Sequence, residues 1–151
     1  SVAANGSAGL KINRLGSDGN VARFFRSGTQ VGTISVTGSA TAYNESSDHR
    51  LKENIVDMVD GITRVKQLQP RRFNFITDAE TTVDGFVAHE AQAVVPEAVT
   101  GTHNGVDENG DPVMQGIDKG KFVPLLTAAL QEAIAKIETL EAKVAALEAA
   151  S

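Results

Sequence analysis

A serine and a lysine five positions apart carry the clearest chemical signal in this chain. Ser47 and Lys52 begin and end the stretch SDHRLK, which lies where the composition changes. A serine hydroxyl becomes an effective nucleophile when a base removes its proton, and a lysine can be that base if burial or nearby positive charge keeps its amine neutral. The pair therefore fits peptide-bond chemistry, with Arg50 as a nearby positive charge. The alternative interpretation is a solvated linker pair.

Three neighbouring polar residues are candidates for supporting this pair. His49 lies between them and can assist proton transfer or be a bystander in a polar loop. Glu53 and Asn54 can shape the reactive loop or cap the segment that follows. Because five residues separate hydroxyl and amine, the chain must fold back to bring them within hydrogen-bond reach.

The composition limits the function classes. At 151 residues, with 41% hydrophobic and 22% charged residues, the chain fits a soluble protein of one domain or two small ones. The absence of cysteine excludes disulfides, thiolate zinc sites and cysteine nucleophiles. A net charge of -5 argues against nucleic acid as a partner, and no apolar run approaches the roughly 18 residues of a membrane span. The start at Ser1 favours a fragment of a longer protein, although tag removal or methionine loss gives the same start.

Residues 1–47 differ in composition from the rest of the chain. They contain seven of the fourteen glycines and carry a charge of +2, which leaves -7 for the remainder. Glycine-rich turns separate β-prone runs and predict a β-meander. The predicted strands are Leu10–Arg14, Val21–Arg26, Val31–Val36 and Ala40–Tyr43. Because large apolar residues are few, we expect this sheet to need partner chains.

Residues 48–121 predict a compact α+β unit. The pattern gives a helix that starts from an N-cap at Asp57 and ends before Pro70, strands at Arg71–Ile76 and Gly85–Ala88, a short helix at His89–Val95, and then a hairpin. The hairpin contains an acidic segment, 107–111, that resembles part of a calcium loop. Pro112 stands where an EF-hand loop needs glycine, so an Asn-Gly turn is favoured over a metal site. No metal or cofactor is predicted.

Residues 122–151 show a heptad pattern. The a positions are Val123, Leu130, Ile137 and Val144, and the d positions are Leu126, Ala133, Leu140 and Leu147. Lys136 and Lys143 fall at g, and Glu141 and Glu148 at the following e, which favours a parallel coiled coil. The alternative is an amphipathic helix packed on its own domain, mainly in the first two turns, where Leu125 and Ile134 widen the apolar face. The heptad pattern leaves dimer and trimer open.

Four motifs together resemble one family. They are SDHRLKENI at 47–55, GFVAHEAQAVVPEAV at 85–99, QGID at 115–118 and FVPLL at 122–126. Over about residues 46–148 the chain resembles the peptidase S74 family, the C-terminal intramolecular chaperone domains of phage tail spikes and tail fibres. Residues 32–44 look like the fibre end that commonly precedes this domain.

This resemblance implies a function and a location. The domain is expected to assemble a β-structured fibre as a homotrimer, with residues 1–47 as its client segment, and then to release itself by autoproteolysis in cis. By position, Ser47 is the nucleophile, Lys52 is the base, and the cut lies between Ser47 and Asp48, with Ser46/Ser47 as the alternative. The precursor would fold in the bacterial host cytoplasm and leave its fibre part in the virion tail.

Two rival interpretations remain at the level of sequence. A non-cleaving trimerisation module at the tip of a fibre would contain the same residues. A membrane-tethered transcription factor that releases itself through a related domain would need a DNA-binding region and a transmembrane helix, and the sequence contains neither.

Overall fold

A computed structural model describes residues 10–150 and has an α+β fold with antiparallel sheets and a long C-terminal helix. The chain divides into two compact units, one ending at Ile55 and the other beginning at Val56. The predicted domain boundaries, between residues 47 and 48 and between residues 121 and 122, stay predictions. No helix within residues 10–150 is long and apolar enough to cross a membrane.

The first unit is a three-stranded antiparallel meander. Its strands are β1 (Gly19–Arg26), β2 (Thr29–Val36) and β3 (Thr41–Glu45), paired in chain order. Ser27 and Gly28 connect β1 to β2, and both have positive φ, at 50° and 81°. Two such residues form the tight turn whose twist matches that of paired strands. The predicted meander is therefore confirmed for three of its four strands.

The strand predicted at Leu10–Arg14 is wrong. These residues have no regular secondary structure, and Leu10 and Ile12 are mostly exposed. Arg14 folds locally instead, since its guanidinium donates to the backbone oxygens of Ser17 at 2.8 Å and Asn20 at 3.3 Å. A β-prone run forms a strand only when another strand takes up its backbone hydrogen bonds. Within residues 10–150, the only strand paired with β1 is β2.

The sheet of the first unit has no buried core in a single chain. None of the residues from 10 to 55 is buried. Phe24 and Phe25 on β1 are each more than half exposed, and Val31 on β2 is 44% exposed. Exposed apolar side chains contribute little to folding stability unless another part of the protein or another chain removes them from water.

The second unit combines three helices with two small antiparallel sheets. Its elements are α1 (Gly61–Val65), β4 (Arg71–Phe75), β5 (Asp78–Gly85), α2 (Ala88–Gln92), β6 (Val99–Thr100), β7 (Gly116–Ile117) and α3 (Phe122–Ala149). β4 pairs with β5, and β6 pairs with β7. Short 3₁₀ turns lie at Pro96–Ala98 and Lys119–Lys121.

Helix α1 is shorter than its pattern predicts. The helix predicted to start from Asp57 begins only at Gly61, after Asp60, and Met58 lies outside it. The carboxylate of Glu132 on α3 accepts hydrogen bonds from the Gly61 amide at 2.6 Å and the Ile62 amide at 3.1 Å. A residue 70 positions away in the chain thus satisfies the first amides of α1, which the local pattern cannot indicate.

The strand predicted at Gly85–Ala88 is also misplaced. The partner of β4 is β5, which ends at Gly85, and Ala88 already begins α2. Polar cross-strand pairs help to hold this register: the Arg72 guanidinium donates to Asp84 at 2.7 Å, and the Asn74 amide to Thr82 at 3.1 Å. Such pairs stabilise a strand whose residues are mostly polar.

The acidic segment at 107–111 is a turn, as the Asn-Gly pair predicts. Asp107 accepts hydrogen bonds from the amides of Asn109 at 2.8 Å and Asp111 at 3.0 Å, and Gly110 has a φ of 85°. The Asp111 and Asn109 amides lower the pKa of the Asp107 carboxyl. The predicted hairpin is confirmed by the pairing of β6 with β7.

Helix α3 presents two different faces. Its buried residues are Phe122, Leu125, Ala128 and Ala129. They pack in a small core in which Val95 and Leu125 are almost fully buried and the Phe86 and Phe122 rings stack at 5.0 Å. The large heptad side chains lie on another stripe and are each at least half exposed; they are Val123, Leu126, Leu130, Ile137, Leu140, Val144 and Leu147.

The two sequence interpretations of this helix are therefore compatible. Leu125 belongs to the core of its own unit, as the alternative suggested for the first turns. The a and d residues do not take part in that core, so the apolar heptad stripe remains uncovered along the helix.

We predict that Gly61→Ala destabilises the second unit. A Cβ at residue 61 would lie 2.4 Å from the backbone nitrogen of Ala129, and backbone cannot move aside cheaply. Overpacking of this kind costs about 1–3 kcal/mol, which exceeds the gain of about 1 kcal/mol in helix propensity. Urea unfolding should show a lower midpoint. Gly38→Ala, where a Cβ would meet nothing within 4 Å, should leave it nearly unchanged.

Candidate active site

A short turn brings Lys52 back toward Ser47. Residues His49–Leu51 form a 3₁₀ turn capped by Asp48, whose Oδ1 accepts a hydrogen bond from the Arg50 amide at 2.9 Å. The amides of Leu51 and Lys52 donate to the carbonyl oxygens of Asp48 and His49, each at 3.0 Å. These bonds reverse the chain within five residues.

The reversal places the two predicted catalytic groups in direct contact. Lys52 Nζ donates a hydrogen bond to Ser47 Oγ at 2.7 Å. When the amine is neutral, the same contact lets the hydroxyl donate to nitrogen, as general-base activation requires. Both residues are exposed in the single chain. The turn therefore supplies the geometry of the pair but not a dry environment.

Ser46 is engaged elsewhere, which separates the two adjacent serines. Its amide donates to the Val31 carbonyl at 3.0 Å, and its hydroxyl to the Gln30 carbonyl at 2.9 Å. These bonds extend the attachment to β2 by one residue beyond β3. Ser47 is thus the first residue beyond this attachment. The sequence prediction did not include this attachment of Ser46, although an alternation of residues continued from β3 is a signal for it.

Arg50 directs its charge to Asp48. Its Nε donates to Asp48 Oδ1 at 2.9 Å, and its Nη2 to Oδ2 at 2.7 Å, which is a two-point ion pair. The side-chain and backbone hydrogen bonds from Arg50 lower the pKa of Asp48, and Asp48 raises the pKa of Arg50. His49 Nδ1 lies 3.5 Å from Asp48 Oδ1, and its side chain is 85% exposed.

The remaining predicted residues shape or flank the turn. Asn54 has a φ of 53°, in the left-handed region that asparagine tolerates better than most residues, so it redirects the chain after Lys52. Glu53 is exposed, and no side-chain hydrogen bond or ion pair links it to any residue in the range 10–150.

The motif residues of the second unit make packing and ion-pair contacts there. His89 stacks on His103 with ring centroids 4.0 Å apart. Glu90 accepts hydrogen bonds from Arg71 at 2.9 and 2.7 Å, and these bonds lower the pKa of the Glu90 carboxyl. The spacing of residues did not indicate that His103 contacts His89 or that Arg71 contacts Glu90, because each contact joins separate parts of the chain.

The second unit also has an apolar cavity of about 510 Å³. Aromatic and aliphatic side chains dominate its wall, including Phe73, Phe75, Val83, Phe86 and Ile117. Among residues 10–150, the charged residues that line it are Asp84 and Lys119. Within residues 10–150, no three acidic, histidine or cysteine side chains cluster as metal ligands.

Comparison with known proteins assigns the segment that begins at Ser47. Residues 47–100 match the family model Peptidase_S74, described as chaperone of endosialidase. Over this segment the chain is similar to the Peptidase_S74 family. The resemblance seen in the motifs is thereby confirmed, and the match supports a chaperone role and an association with peptidase chemistry. A sequence search of curated proteins finds no match.

The first residue of the Peptidase_S74 match is Ser47 itself, and Lys52 lies within it. The matched segment therefore contains the whole turn and continues through β4, β5, α2 and β6. Residues 10–46, with the meander, precede the match.

We predict that the Asp48–Arg50 contact persists below the pH at which a free aspartate takes up its proton. The pKa of Asp48 in the folded protein is lowered from 3.8. The contribution of this carboxylate to folding stability is therefore fully present above pH 3.8, and it is lost as the pH falls through the lowered pKa of the folded state. An acid titration of the Arg50 amide and Nε resonances by NMR should show a midpoint below 3.8. A midpoint at or above 3.8 would contradict the persistence of this contact in solution.

Proposed function

We propose that this chain is an intramolecular chaperone that trimerises a phage tail fibre or tail spike segment and then cuts itself by serine-lysine autoproteolysis. The hydrogen bond between Lys52 Nζ and Ser47 Oγ at 2.7 Å carries this proposal. The Peptidase_S74 match, which begins at Ser47, supports it. The bond proposed to break joins Ser47 to Asp48, and each chain needs one turnover.

The proposed chemistry uses the pair as nucleophile and base. Lys52 takes the proton from Oγ as the hydroxyl attacks a carbonyl carbon, and the protonated lysine then gives that proton to the leaving backbone nitrogen. The acyl group passes from nitrogen to oxygen, and water hydrolyses the ester to regenerate the hydroxyl. Hydrogen-bond donors at the developing oxyanion would lower the barrier.

The size of the ring that forms when Ser47 Oγ attacks a carbonyl of its own chain determines which peptide bond this attack can break. Attack by Ser47 Oγ on its own carbonyl closes a four-membered ring, whereas attack on the Ser46 carbonyl closes a five-membered ring and breaks the Ser46–Ser47 bond. A cut after Ser47 therefore calls for the hydroxyl of a second copy, or for a water molecule activated at the pair. The two cuts differ by one serine residue in the mass of each fragment.

Exposure of the pair makes assembly the proposed trigger. A lysine acts as a base only when neutral, and burial favours the neutral amine. Ser47 and Lys52 are both exposed in a single chain, so burial has to come from surrounding chains. The sheet before Ser47 also leaves its apolar residues uncovered. Packing of three copies would cover both and would couple cleavage to completed folding.

The uncovered stripe of α3 is the proposed trimer contact. Its a and d residues lie outside the core of their own unit. Phe122 and Leu125 pack in that core from another face of the helix. Heptad side chains of this kind bury themselves against the same stripe of a neighbouring helix. Removal of the chaperone part after cleavage would leave the fibre without its template and so kinetically trapped.

We predict that the purified protein yields two fragments, 1–47 and 48–151, in denaturing intact-mass measurement. Ser47→Ala and Lys52→Ala should remain whole, because each removes one partner of the reactive pair. Ser46→Ala is the matched control and should still be cut, since the Ser46 hydroxyl bonds to Gln30 rather than to Lys52 and the Ser46 amide keeps its bond to Val31. A wild-type protein that trimerises but stays whole would indicate the non-cleaving module.

We predict that Leu140→Lys weakens self-association. This change puts a charge into the heptad stripe, where burial of an unpaired charge is costly. Analytical ultracentrifugation should show association at least about tenfold weaker, equal to about 1.4 kcal/mol. Ala142→Lys adds the same side chain two positions away, off the stripe, and should associate like the wild type. Equal behaviour of the two variants would exclude the stripe as the contact.

A further inference from the structure

We propose that Arg50 is a positioning residue that neutralises the Asp48 carboxylate so that Lys52 can act as a base. The inference rests on the proposed function and adds a specific task for Arg50 within it. Arg50 works through Asp48 and touches neither Ser47 nor Lys52 by any hydrogen bond seen in residues 10–150.

The geometry behind this inference is the double contact within the turn. Both oxygens of the Asp48 carboxylate are engaged by the guanidinium, at 2.9 and 2.7 Å, and Oδ1 also caps the turn through the Arg50 amide. Asp48 follows Ser47 directly, so this carboxylate lies next to the reactive residue in the chain. Arg50 thus fixes the orientation of the Asp48 side chain and cancels its charge.

The electrostatic consequence concerns the protonation of the base. An unpaired carboxylate near a lysine favours the charged ammonium, which cannot accept a proton from a hydroxyl. A carboxylate held in a two-point arginine pair presents little net charge to its surroundings. This role differs from that expected from sequence, in which Arg50 was to act as a positive charge on Lys52 directly. The paired arginine removes a negative charge instead.

Other titratable groups on the flanking segments must be held constant. His49 Nδ1 lies 3.5 Å from Asp48 Oδ1, so protonation of His49 also affects this carboxylate. Glu45 ends β3 before the site, and Glu53 follows the turn. These three residues are identical in every variant below, and repeating the series in a His49→Asn background removes the histidine contribution.

The test is the pH dependence of self-cleavage in the full chain. Cleavage rates are measured for wild type, Arg50→Gln, Asp48→Asn and the double variant, by denaturing intact mass after a pH jump. We expect Arg50→Gln to move the half-maximal pH up by about one unit, the low end of shifts caused by a nearby opposite charge. At a pH below the midpoint its rate should fall about tenfold, since the neutral amine is then correspondingly rarer.

The double variant separates charge from structure. Asp48→Asn keeps an amide oxygen that can cap the turn, so adding it to Arg50→Gln should return the half-maximal pH to the wild-type value. Arg50→Lys keeps a positive charge without the guanidinium fork and should lie between wild type and Arg50→Gln. Circular dichroism and sedimentation establish that each variant folds and assembles.

Two results would overturn the inference in distinguishable ways. If Arg50→Gln lowers the rate equally at every pH, or if the double variant keeps the raised midpoint, Arg50 acts only through the shape of the turn. If the assembled wild type is not cleaved at any pH, the proposed function itself fails, and the positioning role falls with it.

Discussion

Helix α3 has a buried face and an exposed apolar stripe, and the core of the second unit depends on the buried face. One face carries Phe122, Leu125, Ala128 and Ala129 into the core. The small side chains at 128 and 129 allow Gly61 to approach the helix backbone, and Glu132 then caps α1. Because the core is packed without the residues at the heptad positions, the apolar stripe of α3 remains exposed in the single chain.

At the candidate active site, a local turn forms the Ser47–Lys52 contact, but the single chain does not bury the two residues. A turn of a few residues, stabilised by the Asp48 cap, is enough to bring the Lys52 amine to the Ser47 hydroxyl. The low-dielectric surroundings that make a lysine neutral are missing from a single chain, because both residues are exposed. Under the proposed function, such a site would have its contact formed in the single chain and would become reactive when other chains cover it.

Ser46 connects the sheet of the first unit to Ser47. Ser46 completes the attachment to β2 by its amide and hydroxyl, and Ser47 follows at once. Formation of the β2–β3 pairing therefore fixes the backbone on one side of Ser47, while the 48–52 turn fixes the other. Displacement of either side would separate Ser47 Oγ from Lys52 Nζ, so the reactive contact depends on both.

The sequence by itself determined the α+β class, the meander, the Asn-Gly turn, the long helix and the family of residues 47–100, because these follow from local periodicity and motif residues. It also selected Ser47 and Lys52, whose contact is local. Only the tertiary structure decided the late start of α1, the pairing of β4 with β5 and the ion pair of Arg50 with Asp48. Those features depend on partners elsewhere in the chain or on side-chain direction within a turn, and residue type and spacing carry no signal of either.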